Sequence, residues 1–600
     1  MTVTAGRLRP SVLHRSGVPA ALRSAATTPR SVPSTIVPPT TSMSLTGTSG
    51  RLPEMSLKVW PPSTDSKAWA VPAPGPSANW AGAWKPPAGA CEARGVAELS
   101  ISRVVTELAR RDPGRLAVRD STTALTRSEL DLRTNGLARA YARLGVRAGD
   151  MVTVALPNSA DFVESCVAAW KLGATPQPLS ARLPAAERDA VLALAQPALV
   201  VGVPDGSVPG RRTLPDAGKP DADTGELPEA VSPEWKAPTS GGSTGRPKLI
   251  VATTAGRFDP DVPAVPYLHR DGVQLVAGPL YHNGPFLYAF RGLFCGHALV
   301  VRERFDAEDW LRSVQEHEVT WTMAVPTMLH RIWRLPAEVR TAYDVGSLRV
   351  LLHLGAPCPP ELKRAWIGWL GPGRVWELYA GTEGNGVTVL DGHEWLAHPG
   401  SVGRPALGSR VRVLDEDGRD LSAGQVGEVF LLPAGGTGST YRYVGAEPRR
   451  REGWDSLGDL GWLDEDGYLY LVDRRTDCIL SGGANVYPAE VEAALDSHPA
   501  VRSSAVVGLP DDDLGERVHA LVDATAPVEP AELLAHVGGR LARYKVPRSV
   551  ELVDGPLRDD AGKLRRSQLR ADRLPTDRVS ADRVSAEGPA PSRSPSAGPA

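Results

Sequence analysis

A short segment, TSGGSTGRPKLI at residues 239–250, concentrates glycines, hydroxyl side chains and one lysine. Consecutive glycines let backbone N–H groups approach an anion, because no Cβ atom stands in the way. The hydroxyls of Ser243 and Thr244 are further hydrogen-bond donors, and Lys248 adds a positive charge. A triphosphate needs such a set of groups, so the segment is a candidate phosphate-binding loop.

The spacing within this segment excludes the phosphate loop of pattern G-x-x-x-x-G-K-[ST]. That pattern requires a second glycine five residues after the first, but Arg246 follows Gly241 and Pro247 follows Gly242 at that distance. A polar surface turn before the apolar run LIVA is the alternative for the segment taken alone. The run GGTGST at 435–440 shows that glycine-rich polar stretches also occur elsewhere in this chain.

Four further segments contain residues that suit nucleotide chemistry. They follow the first in the order HLGAP at 353–357, YAGTEG at 379–384, SLGDLGWLDEDGYLYLVDRRTDCILSGGANVYPAEVE at 456–492, and RDDAGKLRR at 558–566. In order and spacing, the five segments resemble the motifs of the adenylate-forming superfamily, which includes acyl-CoA synthetases, luciferases and the adenylation domains of peptide synthetases. The resemblance covers residues 97–570.

The resemblance implies a role for each motif. Glu383 would hold Mg²⁺, a hard cation that needs only one or two carboxylates when phosphates supply further oxygens. Thr382 would contact the α-phosphate, and Lys563 would neutralise charge on the carboxylate and the α-phosphate during acyl-adenylate formation. The loop beside the pantetheine arm of coenzyme A would contain Gly482 and Gly483. ATP would be bound through Ser240, Gly241, Gly242, Ser243, Thr244, Gly245 and Lys248 at the phosphates, Gly355, Ala356 and Pro357 near adenine, and Asp459 and Arg474 at the ribose, with Tyr379 as a further cofactor-binding residue.

The segment GPLYHNGPF at 278–286 corresponds to the acid pocket of that superfamily. Amino-acid-activating members carry an aspartate nearby that pairs with the substrate ammonium, whereas this chain has His282 and Asn283. A carboxylic acid without an amino group is therefore expected. The motifs look most like those of ligases for bile-acid, steroid side-chain and fatty acids, although His-Asn also occurs in aryl-acid adenylating enzymes. A satisfied, partly buried histidine is the alternative for His282.

The resemblance predicts an ATP-dependent carboxylic acid–CoA ligase that first forms acyl-AMP and pyrophosphate, and then acyl-CoA and AMP. Its substrates would be a small carboxylic acid, ATP and coenzyme A, with Mg²⁺ as cofactor. Because no carrier domain follows the last motif, free CoA is the simplest acceptor. Two alternatives stay open: a stand-alone adenylating enzyme that loads a separate carrier protein, and a catalytically inactive nucleotide-binding protein.

The composition supports a large protein that binds small molecules. Of 600 residues, 67 are Lys or Arg and 69 are Asp or Glu, and this balance gives no basic surface for nucleic acid. No run approaches 18 apolar residues, so no membrane span is expected. The five cysteines include no C-x-x-C pair, which favours free thiols in a reducing cytoplasm.

Helices and strands alternate through much of the chain. Apolar residues recur at helical spacing in ISRVVTELARR and SADFVESCVAAWKLGA, while MVTVALP and PALVVGV look like buried strands, which together predict an α/β architecture with largely parallel sheets. The resemblance adds a distorted β-barrel to two α/β subdomains in a large N-terminal domain, followed by a small mobile α+β domain. The expected boundaries are a disordered extension at 1–95, the large domain at 96–475, the small domain at 476–570 and a disordered tail at 571–600.

Overall fold

The computed structural model describes residues 98–241, 247–261, 265, 267–482, 484–559 and 562–574. The predicted N-terminal extension at 1–95 lies outside the described residues. So does the predicted tail, except for its first four residues. The centre of the phosphate loop at 242–246 and Gly483 also lie outside the described part.

The helices alternate with strands in the first two thirds of the chain. In chain order they are α1 (Ile101–Arg111), α2 (Arg127–Arg143), α3 (Ala160–Lys171), α4 (Ala185–Ala195), α5 (Asn283–Phe294), α6 (Ala307–Glu316), α7 (Pro326–Trp333), α8 (Ala337–Thr341), α9 (Pro360–Leu370), α10 (Gly392–Ala397), α11 (Pro488–Asp496), α12 (Pro530–Gly538) and α13 (Arg566–Ala571). Short 3₁₀ turns lie at Pro372–Arg374 and Arg543–Lys545.

The strands of the first half are β1 (Leu99–Ser100), β2 (Leu116–Arg119), β3 (Ala124–Thr126), β4 (Met151–Val154), β5 (Thr175–Pro178), β6 (Leu199–Val201), β7 (Arg212–Leu214), β8 (Thr239–Gly241), β9 (Pro247–Ala252), β10 (Arg257–Phe258), β11 (Val273–Val276) and β12 (Ala298–Val301). Those of the second half are β13 (Trp321–Ala324), β14 (Val350–Leu354), β15 (Val375–Ala380), β16 (Val387–Asp391), β17 (Arg404–Pro405), β18 (Arg410–Leu414), β19 (Gly427–Leu432), β20 (Tyr441–Val444), β21 (Arg449–Arg451), β22 (Trp454–Leu463), β23 (Leu469–Arg474), β24 (Ile479–Ser481), β25 (Ala484–Val486), β26 (Val501–Asp511), β27 (Gly515–Ala524) and β28 (Ser549–Leu552).

Two sheets have a parallel centre. Among the described residues, the larger has the strand order β17-β16-β15-β14-β13-β11-β12-β2-β3, and its strands from β15 to β2 run parallel. The smaller, β5-β4-β6-β7, is parallel throughout. Helices joining parallel strands place the ligand crevice of such a sheet at the carboxyl ends of its strands.

Antiparallel sheets complete the large part of the molecule. Strands β18, β19, β21, β22 and β23 form one sheet, and β8, β9 and β20 form another. Strands β1 and β10 form a further two-stranded sheet. Antiparallel sheets are consistent with the distorted β-barrel that the resemblance implies, whose closure stays a prediction. Parallel α/β sheets combined with antiparallel ones confirm the predicted α/β fold class.

Local sequence explains where the N-terminal helices begin. The side chain of Thr126 accepts a hydrogen bond from the backbone of Glu129, whose own carboxylate accepts from the Thr126 backbone, so α2 starts with a capping box. Ser159 caps α3 in the same general way. Helix α3 is buried along its length, and Trp170 packs edge-on against Phe290 of α5 at 4.8 Å between ring centroids. These two helices therefore share one apolar core.

The polar connection at 203–233 is partly ordered by contacts with α2. Residues Arg212–Leu214 form β7, a three-residue strand too short to give a sequence pattern. Tyr141 donates a hydrogen bond to the carbonyl of Ala217 at 2.9 Å, and Asn135 donates to that of Thr224 at 3.0 Å. The connection is thus anchored where it leads into β8 and the phosphate loop.

The C-terminal part has its own sheet and core. Strands β24 to β28 form a five-stranded sheet, and α11 and α12 contribute to the same apolar cluster, which includes Ile479, Val491 and Leu533. None of the apolar residues of that cluster precedes residue 479. No helix in the described part of the chain is long and apolar enough to cross a membrane.

Candidate active site

Two of the predicted nucleotide motifs meet at one edge of the large sheet. Strands β14 and β15 are parallel neighbours, with Leu354 opposite Leu378, so the motifs that follow them emerge side by side. Gly355 directly follows β14 with φ +89°, a left-handed conformation that glycine adopts without steric cost. The segment 353–357 and the segment 379–384 therefore border one crevice at the carboxyl ends of the parallel strands.

Glu383 is held in this crevice by residues from the antiparallel sheet. The carboxylate is buried; its Oε1 accepts a hydrogen bond from the Tyr443 hydroxyl at 2.5 Å and lies 3.5 Å from Lys248 Nζ. Lys248 Nζ also lies 3.8 Å from the centroid of the Tyr443 ring, at cation–π distance. Burial and the Glu383 charge raise the pKa of Tyr443, so its hydroxyl stays a donor.

Strand pairing accounts for this triad. Lys248 lies on β9, where Leu249 and Ile250 pair with Val444 and Tyr443 of β20. The antiparallel ladder thus brings a tyrosine from far along the chain next to the lysine of the phosphate-loop motif. Burial lowers the pKa of Lys248, while the charge of Glu383 opposes that shift.

The residues predicted to bind the ribose form a second group. Asp459 of β22 lies opposite Arg474 of β23, and Arg474 Nε is 3.3 Å from Asp459 Oδ1. The hydroxyl of Tyr379, at the end of β15, donates to Asp459 Oδ2 at 2.6 Å. Burial, then the Asp459 charge, raises the pKa of Tyr379. Because a carboxylate offers about four acceptor sites, Asp459 can bind further hydroxyls alongside these partners.

The loop that carries Lys563 is docked against the large part of the molecule. A Cβ atom on Gly562 would lie 2.7 Å from Thr327 Oγ1 of α7, and Gly562 has φ +75°. The backbone N–H of Lys563 donates to Asp559 at 2.9 Å. Lys563 is an exposed residue, but the protein atoms that partly surround its ammonium lower its pKa; Asp559 and Glu383 oppose that shift, whereas the charge of Arg474 adds to it. Lys563 therefore lies within electrostatic reach of Glu383.

The predicted acid-pocket residues stand at the start of α5. His282 is the N-cap, makes no side-chain capping bond, and has a buried Nε2 without a hydrogen-bond partner among the described residues. Burial lowers the pKa of His282 to about 3, and the charges of Lys563 and Arg565 add to that shift. Because a Cβ on Gly284 would lie 3.2 Å from Leu354 and 3.3 Å from Met323, the helix start packs against the ends of β13 and β14.

The structure describes only some of the remaining predicted residues. Ser240 and Gly241 lie in β8, opposite Lys248 and Pro247 of β9, whereas residues 242–245 lie outside the described part. Thr382 and Ala356 are half-buried at the crevice, and Pro357 is exposed there. Gly482 donates its N–H to the carbonyl of Leu514 at 2.9 Å, in the C-terminal sheet. The roles assigned to these residues stay predictions.

Two residues of the crevice carry no motif signal. Tyr443 reaches Glu383 only through the β9–β20 pairing, so nothing near it in sequence marks it. Lys236 is buried and donates to Asn283 Oδ1 at 2.5 Å. Its place in the segment EWKAPTS, directly before the phosphate loop, is the local sequence feature that points to Lys236.

The described residues suit a magnesium ion that is bound mainly through phosphates. No group of three or more His, Cys, Asp or Glu side chains in the described part is arranged to hold a metal ion. Glu383 is instead a single buried carboxylate beside a lysine and the phosphate-loop strand. Mg²⁺ is commonly bound by one or two carboxylates together with nucleotide phosphates and water. Glu383 fits that donor set.

Comparisons with known proteins agree with this geometry. The family model described as "AMP-binding enzyme" matches residues 105–438, and "AMP-binding enzyme C-terminal domain" matches residues 490–563. A feruloyl-CoA synthase of Amycolatopsis sp is 35% identical over 477 residues, which are 77% of this chain and 96% of that protein. A 2-succinylbenzoate–CoA ligase of Bacillus licheniformis is 32% identical over 489 residues, covering 76% of this chain and 97% of that protein.

Solved structures give the same result. The o-succinylbenzoate CoA synthetase of Bacillus subtilis, in complex with the acyl-adenylate intermediate OSB-AMP, matches with a TM-score of 0.67 at 28% identity, covering 79% of this chain and 99% of that one. The same synthetase in complex with ATP and a magnesium ion matches with a TM-score of 0.65 at 28% identity, covering 78% of this chain and 98% of that one.

Proposed function

The chain belongs to the AMP-binding enzymes and is an ATP-dependent acid–CoA ligase, and from that premise we propose which residues carry the reaction and which acids it takes. The acid and ATP give acyl-AMP and pyrophosphate, and coenzyme A then gives acyl-CoA and AMP. Mg²⁺ neutralises phosphate charge when it is bound. The site roles below are our own assignment.

In this proposal Glu383 would hold Mg²⁺, and Tyr443 and Lys248 orient the Glu383 carboxylate. The 2.5 Å hydrogen bond from Tyr443 leaves the carboxylate little rotational freedom. Lys248 adds positive charge at the point where the phosphate-loop strand begins. Thr382, one residue earlier, contacts the α-phosphate. Preorganised charges of this kind stabilise the charge that develops in the transition state without reorganising during reaction.

Asp459, Arg474 and Tyr379 bind the nucleoside. Asp459 accepts hydrogen bonds from the ribose hydroxyls, because an ionised carboxylate is an acceptor only. Tyr379 and Arg474 already contact both carboxylate oxygens, which orients Asp459 before ATP arrives. Gly355, Ala356 and Pro357 form the wall beside the adenine.

The observation that carries this assignment is the docked loop of Lys563. Gly562 contacts α7 so closely that a Cβ would collide with Thr327, and the lysine that follows senses the charges of Glu383 and Arg474. A lysine at this point can neutralise charge on both the acid carboxylate and the α-phosphate. The described arrangement therefore suits the adenylate-forming step.

The thioester-forming step requires the small domain to move in this proposal. We assign residues 96–475 to the large domain and 476–570 to the small one, which is supported by the separate apolar core after residue 478. Rotation of the small domain would withdraw Lys563 and bring Gly482 and Gly483 beside the pantetheine arm. Domain rotations between steps are common in enzymes that close over their substrates.

The acid has no ammonium group in this proposal. His282 and Asn283 occupy the start of α5, and the buried cation Lys236 next to Asn283 would repel a second cation. Relatives are named for feruloyl-CoA and for 2-succinylbenzoate, so aromatic acids rank first for testing, ahead of the fatty and steroid acids that the motifs suggest.

Free CoA is the proposed acceptor, and a separate carrier protein is the alternative. We also infer a cytoplasmic location, since Cys166, Cys358 and Cys478 form no disulfide bond within the described residues.

The test is ATP–pyrophosphate exchange with aromatic, fatty and steroid acids, followed by detection of the acyl-CoA product. We expect exchange with at least one acid, and thioester formation when CoA is added. Exchange without thioester formation would favour a carrier protein as acceptor. Absence of exchange with every acid, in protein shown to be folded, would contradict the proposal.

A further inference from the structure

Lys236 is a buried ammonium group without a carboxylate partner among the described residues. Its residue surface is 7% exposed, and its Nζ donates to Asn283 Oδ1 at 2.5 Å. The ring of Trp235 lies 5.3 Å from Nζ. An ammonium has three N–H donors, and the described residues supply a hydrogen-bond acceptor for one of them.

Two other buried lysines show what this chain does when a lysine is only structural. Lys171 contacts Asp131 at 2.6 Å and Asn135 at 2.6 Å, and Lys363 contacts Glu377. Each of these ammonium groups thus has a carboxylate, as burial of a charge requires. Lys236 lacks one, although it is comparably buried.

The surroundings of Lys236 are themselves positive. Asn283 is the first residue of α5, whose N-terminus carries the positive end of the helix dipole and has no side-chain cap. Arg291, two turns along α5, acts unfavourably on the charged form of Lys236 and has no ion pair within the part of the chain that the structure describes. Burial lowers the pKa of Lys236 to about 7, and Glu383 alone opposes that shift. Near pH 7 the Lys236 amine is therefore only partly protonated, and an anionic ligand beside it would stabilise the ammonium form.

The position of Lys236 within the acid pocket follows from two adjacent residues. The charge of Lys563 contributes to the lowered pKa of His282, whose buried Nε2 has no hydrogen-bond partner in the described part of the structure. Asn283, the next residue, binds Lys236. Both Lys563 and Lys236 are within electrostatic reach of Glu383. Lys236 and Lys563, the lysine assigned to the activated carboxyl, therefore both border the crevice around Glu383.

We propose that Lys236, oriented by Asn283, is a specificity-determining residue of the acid pocket, and that the pocket takes acids with a second anionic group near the activated carboxyl. The second group, such as another carboxylate, contacts the Lys236 ammonium and the Asn283 amide and does not react. This inference rests on the proposed function, because it takes the start of α5 as a wall of the acid pocket.

An ATP phosphate is the competing source of negative charge. Lys236 is tethered to α5 through Asn283, whereas the lysine beside the phosphate loop, Lys248, already lies at Glu383. The two sources make different predictions, since a phosphate contact affects every acid equally and a contact with the acid does not. A comparison of matched acids separates them.

The experiment measures kcat/KM for exchange with phthalate against benzoate and succinate against butyrate. For the wild-type chain we expect preference for the diacid by about tenfold or more in the better pair, the scale of one buried charge contact. Lys236→Met should abolish that preference and leave the KM for ATP unchanged, and Lys236→Arg should retain part of it. Lys219→Met, the same change at an exposed lysine, is the control.

The outcomes are distinct. Equal use of diacids and monoacids by the wild-type chain would overturn the inference, and this comparison needs no variant to fold. A rise in the KM for ATP with all acids in Lys236→Met would also overturn it, by assigning Lys236 to the phosphates. Exchange with none of these acids or those of the wider panel would instead contradict the proposed function itself. Melting curves of each variant confirm that the compared proteins are folded.

Discussion

The hydroxyl of Tyr443 donates a 2.5 Å hydrogen bond to Glu383 Oε1, joining β20 to the motif that follows β15. This bond connects the antiparallel sheet, which carries Lys248, to the crevice of the parallel sheet. It orients the single carboxylate assigned to Mg²⁺. The orientation of Glu383 thus depends on a residue outside every recognisable motif.

Removing that hydroxyl should impair adenylate formation. A hydrogen bond to a charged group contributes about 1.5–3 kcal/mol, so Tyr443→Phe should lower the exchange rate about 10- to 150-fold and raise the Mg²⁺ concentration needed for half-maximal rate. Tyr470→Phe is a matched control, because its hydroxyl bonds Asp464 instead. Unchanged magnesium dependence in Tyr443→Phe would contradict the role given to this bond.

Asp459→Asn should weaken ATP binding selectively. The amide keeps the shape, but it loses the charge that pairs with Arg474, and an NH₂ donor replaces one of the two oxygens that accept from Arg474 and Tyr379. We expect the KM for ATP to rise about 10- to 100-fold while the KM for the acid changes little. The acid KM is the internal control. An equal rise in both constants would argue against a nucleoside contact at Asp459.

Docking of the Lys563 loop should depend on the absence of a side chain at Gly562. Gly562→Ala adds a Cβ that would meet Thr327 and also strains a backbone with φ +75°. Gly467→Ala is the matched control, because Gly467 has φ +79° and open space around its Cβ position. We expect exchange to fall in Gly562→Ala alone, while conversion of supplied acyl-AMP to acyl-CoA persists. Equal activity in both variants would show that the docking contact is dispensable.

Acid should destabilise the fold partly through a buried histidine. Burial lowers the pKa of His297 from 6.5 to about 4. The unfolded chain therefore binds more protons between these values, and the stabilisation from neutral His297 is lost as pH falls from about 6.5 to 4. The loss is at most about 3 kcal/mol. Denaturant unfolding of His297→Gln across this window should show a shallower pH dependence than the wild-type chain; an identical slope would contradict the assignment.

The sequence predicts those parts of the site whose signals are local. Glycine density at 239–245, the carboxylate of Glu383 and the lysine at 563 all stand in short motifs, and helices such as α1 and α3 show their apolar spacing directly. Tyr443 could not be predicted, because its contact depends on the register between β9 and β20, strands nearly 200 residues apart. Strand β7 could not be predicted either, since a strand of three residues shows no periodic pattern in the sequence.

The most direct test of the central claim measures the two half-reactions of Lys563→Ala separately. Losing one electrostatic stabiliser of developing charge costs about 10²–10³ in rate, so acyl-AMP formation should fall by that factor. Conversion of supplied acyl-AMP and CoA to acyl-CoA should stay close to the wild-type rate, because Lys563 leaves the site for that step. Lys545→Ala, which removes a small-domain lysine paired with Glu490, should affect neither step. Equal loss of both half-reactions in Lys563→Ala, or loss of neither, would contradict the account.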